Sequence, residues 1–112
     1  MKREYGDYID DMIVSISDVE GFIHGMTYDE FLVDRKTLNA VVRSIEIIGE
    51  AAKHIPKSIK DKTPEIPWKE IIGMRNKVVH EYFGVDNEIV WNTAVKFLPV
   101  LKRQLSGLEG KR

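Results

Sequence analysis

Apolar residues at Tyr5, Tyr8, Ile9, Met12, Ile13, Ile16, Val19 and Ile23 recur in steps of three and four, which marks one face of an amphipathic helix. Asp7, Asp10, Asp11, Asp18 and Glu20 fall mainly on the other sides. Gly21 and Gly25 weaken the pattern, so this helix is expected to stop near His24. Thr27-Tyr28-Asp29-Glu30 has the capping-box form and predicts a short helical turn through Leu32. Asp34 is then placed to cap a second long helix. That helix carries Leu38, Val41, Val42, Ile45, Ile48, Ala52 and Ile55 on one stripe. Pro56 ends it, because proline supplies no donor and disfavours a helical residue before it. Gly49 and Ala51-Ala52 suit the close approach of another helix, although glycine costs about 1 kcal/mol against alanine there.

Residues 57–66 hold few apolar side chains, with Pro64 among them and Pro67 just beyond, so a surface loop is expected. Pro67 suits the first turn of a third long helix, from Trp68 to about Tyr82. Its stripe reads Trp68, Ile71, Ile72, Arg75, Val78/Val79 and Tyr82, with a guanidinium where the spacing asks for an apolar group. Gly84 breaks the run and Asp86 can cap the last helix. The stripe there is Val90, Ala94, Phe97, Leu98, Leu101, Leu105 and Leu108, and Pro99 inside it should remove a hydrogen bond and bend the helix.

Four long helices without strand-like alternation predict an all-α, up-and-down four-helix bundle with a short extra helical turn. Residues 1–112 read as a single domain, with about 107–112 frayed at the end. Trp91 and Val95 widen the apolar face of the last helix beyond one seam, which suggests that two bundles pair as a homodimer.

Composition narrows the function. The chain is 43% apolar and 31% charged, as expected of a soluble globular protein. It has no cysteine, which excludes disulfides, thiolate metal sites and a cysteine nucleophile. No apolar run approaches a membrane span, and the first residues lack a signal peptide's apolar core, so a cytoplasmic protein is expected. Residues 1–34 carry two basic and nine acidic side chains, and the rest carry 15 basic and nine acidic. That asymmetry permits a basic face for a polyanion, although from charge alone a solvated acidic helix face is the preferred reading. His24, His54 and His80 show no metal-ligand spacing, and neither phosphate-loop motif is present, so no metal and no cofactor are expected. Lys57, Lys60 and Lys62 could touch RNA phosphates or simply be solvated.

The chemistry concentrates in Gly73-Met74-Arg75-Asn76-Lys77-Val78-Val79-His80-Glu81-Tyr82-Phe83. Arg75 offers a permanently charged fork matched to phosphate oxygens, and an imidazole such as that of His80 moves protons near neutrality. Such a pair could cleave RNA without metal, by letting the 2′-hydroxyl attack the adjacent phosphate. His80 would shuttle protons, Arg75 would stabilise the phosphate, and Asn76 would orient His80 or hold a phosphate oxygen. On a regular helix Asn76 and His80 share a face, while Arg75 and His80 stand about 140° apart. Either the helix distorts, the arginine sweeps round, or two copies complete one site. The structural reading is an Arg75 that buries its methylenes and pairs with Glu46 or Glu50.

The run from Arg75 to Tyr82 resembles the R-x4-H-x-Y signature of HepT-type toxins in the HEPN superfamily. Tyr8-Ile9-Asp10-Asp11-Met12, Ile45-Glu46-Ile47-Ile48-Gly49-Glu50-Ala51-Ala52 and Pro67-Trp68-Lys69-Glu70-Ile71-Ile72-Gly73-Met74 are similar to the same group, in the same order. The resemblance implies a small helical bundle whose homodimer lines a cleft with two motifs. It further implies a metal-independent endoribonuclease toxin of a toxin–antitoxin pair, with Arg75 and His80 catalytic. The partner it implies is an MNT-type nucleotidyltransferase antitoxin, able to silence the toxin by transferring AMP to Tyr82. The same superfamily contains nucleotide-binding and interaction modules. A non-catalytic subunit or substrate platform for the nucleotidyltransferase is therefore the alternative.

Overall fold

The computed structural model describes residues 3–80 and 86–110. Its elements are α1 (Tyr5–Phe22), α2 (Tyr28–Val33), α3 (Arg35–Lys53), α4 (Lys57–Lys62), α5 (Trp68–His80), α6 (Asn87–Asn92), a π-helical turn (Thr93–Phe97) and α7 (Leu98–Gly110). The fold is all-α, as the periodicity predicts. Four long stretches, α1, α3, α5 and the continuous α6–π–α7 run, build the bundle, and α2 is the expected short extra turn.

The local signals act where the sequence places them. Helix α1 ends at Phe22, and Gly25 takes the left-handed φ of 74° that turns the chain toward α2. Thr27 and Glu30 exchange capping bonds: Glu30 N–H donates to Thr27 Oγ1 at 3.2 Å and Thr27 N–H to Glu30 Oε1 at 2.9 Å. Asp34 caps α3 through both the backbone N–H and the hydroxyl of Thr37, at 3.0 and 2.7 Å. Asp86 caps α6 by accepting from Glu88 N–H and Ile89 N–H.

One expectation needs correction. Lys57–Lys62 is a helix rather than a loop. Lys57 and Asp61 pair across one turn at 2.7 Å. The Thr63 hydroxyl then donates to Ile59 O and accepts from Trp68 Nε1, which ties the connector to the start of α5. Helix α5 starts at Trp68 as the sequence predicts, with Pro67 just before it and its carbonyl accepting from Ile71 N–H. Helix α7 runs through Gly107 to Gly110. The interruption expected at Pro99 is present as the π turn: Leu98 N–H reaches back five residues to Thr93 O. Widening the ladder just ahead of proline accommodates its missing donor. The predicted breaker Gly84 lies outside the described residues.

The core runs through Ile9, Met12, Ile16 and Val19 of α1, Val41, Ile45 and Ile48 of α3, Ile71 and Val78 of α5, and Leu98, Leu101 and Leu105 of α7. Helix α3 is central and packs on α1, α2, α5 and α6. Tyr8 in the first turn of α1 stacks on His54 just beyond α3, so the two helices run antiparallel. Among the described residues no helix is long and apolar enough to cross a membrane.

Candidate active site

The site is built where α5 crosses α3. A Cβ placed on Gly49 would stand 2.6 Å from Arg75 Cγ and closer still to Arg75 Cβ. Only a bare backbone at that point lets the arginine lie against α3. Gly49 is therefore worth more to the packing than the helix propensity it forfeits.

From this seat the guanidinium reaches two partners. Arg75 Nη2 lies 2.7 Å from Glu50 Oε1, and Nη1 donates to Asn76 Oδ1 at 3.1 Å. The arginine side chain is 20% exposed and Glu50 is 48% exposed, so the pair sits at the edge of the core. Lys53 Nζ approaches the same Glu50 oxygen at 3.6 Å. Glu46, the other candidate partner, faces Arg43 instead, at 3.4 Å. Arg75 Nε is buried without a hydrogen-bond partner among the described residues. An orphaned buried donor costs on the order of 1–3 kcal/mol, which calls for a reason.

The sequence-predicted residues are thus partly assembled. Arg75 and Asn76 touch. His80 is the last residue of α5, and the backbone is helical up to it. Its position is turned about 140° from that of Arg75 and about 40° from that of Asn76 on a regular helix. The motif tyrosine, Tyr82, lies outside the described residues. Two residues gain importance from the structure, Gly49 as the seat and Glu50 as the anchor. Both carried a signal in sequence, Gly49 as a small residue suited to a close neighbour and Glu50 as one of two possible partners for Arg75.

Three hollows stand out among the described residues. One of about 460 Å³ lies between α5 and the α6–π segment and is lined by Gly73, Met74, Ile89 and Phe97 among others. A second of about 310 Å³ lies between the α4 connector and α7. The third, about 210 Å³, opens between α1 and the end of α3, with Glu50 in its wall.

Comparison with known proteins decides the family. A family model described as "Ribonuclease HepT-like" matches residues 12–108. The chain belongs to the HepT-like ribonuclease family. It is 44% identical to "Probable ribonuclease HepT" of Thermococcus cleftensis, over 96% of this chain and 98% of that protein. It is 42% identical to "Putative RNase MJ1216" of Methanocaldococcus jannaschii, over 98% and 94%. A relative from Caldanaerobacter subterraneus, "Putative RNase TTE0752", is 47% identical over 74% of each chain. No solved structure matches the chain. The HepT-like match runs from Met12 within α1 to Leu108 in α7, so the Arg75–Glu50 crossing lies inside the family's own extent rather than in an appended segment.

Proposed function

We propose that this HepT-like ribonuclease is a metal-independent endoribonuclease in which Arg75 and His80 act on one phosphate in a cleft between two copies of the chain. The observation that carries the proposal is the anchored guanidinium of Arg75, held by Glu50 and Asn76, five residues ahead of a histidine on the same helix.

The imidazole of His80 takes the proton from the RNA 2′-hydroxyl as that oxygen attacks the neighbouring phosphorus. A bond from O2′ to phosphorus forms and the bond from phosphorus to O5′ breaks. The departing O5′ then takes that proton back from the same imidazolium, leaving a 2′,3′-cyclic phosphate and a 5′-hydroxyl. Arg75 stabilises the charge that develops on the phosphoryl oxygens. Its unpaired Nε supplies a further donor once the guanidinium turns toward substrate. Asn76 keeps its amide N–H group available for a phosphate oxygen, because Oδ1 already accepts from Arg75. Continuous helix through His80 leaves little room for a distortion that would aim both side chains from one chain at a single atom. That favours a homodimeric site.

In this reading the protein is a cytoplasmic toxin. Its partner is a nucleotidyltransferase antitoxin that transfers AMP to Tyr82, two positions beyond His80, and thereby blocks the cleft. The test is cleavage of RNA in EDTA by purified protein, with ends analysed for 2′,3′-cyclic phosphate. Arg75→Ala and His80→Ala should each lower the rate by about 10²–10⁴-fold. Full activity in either variant would overturn the assignment.

A further inference from the structure

We propose that the groove between α1 and the end of α3 is a nucleobase subsite, reading the RNA beside the phosphate that Arg75 holds; this rests on the ribonuclease reading above. The groove is about 210 Å³ and is walled by Arg3, Tyr8, Asp11, Arg43, Glu50 and His54, a volume suited to a ring system rather than a helix.

Its walls have the chemistry of a base reader. The rings of Tyr8 and His54 are stacked with centroids 4.5 Å apart and planes 8° from parallel. The guanidinium of Arg3 sits 4.6 Å from the centre of the Tyr8 ring, held in place by Asp11 at 2.8 Å. Planar groups of this kind form a platform on which a base stacks, and stacking is tolerant of sequence. Discrimination comes from the edges, where Arg3 and Arg43 offer donors and Asp11 and Glu50 offer acceptors. The charges are locally balanced, Arg3 against Asp11 and Arg43 against Glu46. A balanced groove is a weak trap for a bare phosphate and a good host for an uncharged planar ring with donors and acceptors along its rim.

Position links the groove to the chemistry. Glu50 lines it and also grips Arg75 Nη2 at 2.7 Å. A base in the groove and a phosphate on Arg75 would lie on either side of one carboxylate, as neighbouring parts of a single strand do. The ring stack also pins the start of α1 to the end of α3, so a test needs a readout that pinning alone does not move.

That readout is base preference. Short oligonucleotides of RNA sequence carrying 2′-O-methyl groups cannot be cut by the 2′-hydroxyl route, and their binding is measured by fluorescence anisotropy. Tetramers of A, U, C and G are titrated against wild type, His54→Ala and His54→Phe. Wild type should rank the four tetramers. His54→Ala should weaken the preferred one by about tenfold and flatten the ranking, and His54→Phe should recover the affinity by restoring a ring. Should His54→Ala not fold, Arg43→Ala at the exposed rim takes its place, with a changed ranking expected. An unchanged ranking and affinity in the folded variant would overturn the subsite. Failure of wild type to cut unmodified RNA would instead count against the ribonuclease reading, so the two failures are separable.

Discussion

At the scale of single residues, the site depends on an absent methyl group. Gly49 and Gly73 are both helical glycines, and propensity alone says that alanine at either should add up to about 1 kcal/mol. Their surroundings separate them. A Cβ at Gly73 meets nothing within 4 Å, whereas one at Gly49 runs into Arg75 Cβ and Cγ. The obstacle at Gly49 is the root of the arginine side chain and not its flexible end, so α3 and α5 must move apart. Gly73→Ala should therefore raise the melting temperature. Gly49→Ala should lower it, with a net loss of about 1–3 kcal/mol from overpacking, and should reduce RNA cleavage by displacing the guanidinium from Glu50. Thermal melts of the two variants check this, and a stabilised Gly49→Ala would show that the crossing is looser than the contact implies.

Among the elements, helix existence was readable and connector detail was not. Long stripes at three- and four-residue spacing identify α1, α3 and α5 because burial of one face dominates their energetics. The α4 helix is short and has no buried residue of its own, so it leaves no stripe, and two prolines downstream made the whole segment resemble a loop. Its support is local, in the Lys57–Asp61 pair and the Thr63 hydroxyl. The π turn was legible only as an interruption, since Pro99 announces a missing donor without saying how the ladder adjusts. Caps were legible because each is a side chain at a fixed offset. Asp34 makes a testable case. The backbone and hydroxyl of Thr37 hold its carboxyl below the ordinary aspartate value. A carboxyl more acidic in the folded than in the unfolded chain contributes stability above the unfolded value, and that contribution is lost as pH falls through the folded one. The stability difference between wild type and Asp34→Ala should thus be constant near neutrality and shrink once pH drops below about 4. Urea melts across pH 2.5–7 measure it, and a gap that widens in acid would contradict the cap assignment.

For the whole molecule, the sequence names the chemistry and leaves its assembly open. Arg75 and its possible carboxylate partners could be read from spacing, and Glu50 rather than Glu46 is settled by the crossing of α5 over Gly49. Positions 75 and 80 stand about 140° apart on a regular helix, and the second copy proposed above is the means by which both groups would reach one phosphate. If each phosphate takes Arg75 from one copy and His80 from the other, two inactive variants can repair each other. A copy with Arg75→Ala keeps its histidine, and a copy with His80→Ala keeps its arginine. Their mixed dimer holds one site with neither group and one with both. Random pairing at equal amounts makes half of the dimers mixed, so co-refolded variants should regain about a quarter of wild-type cleavage. Each variant alone stays inactive, and mixing without refolding shows whether copies exchange. A site completed within one chain predicts no recovery at any ratio, because every copy present then lacks one of its two groups. Cleavage that rises to a maximum at equal amounts of the two variants is the signature of a shared cleft.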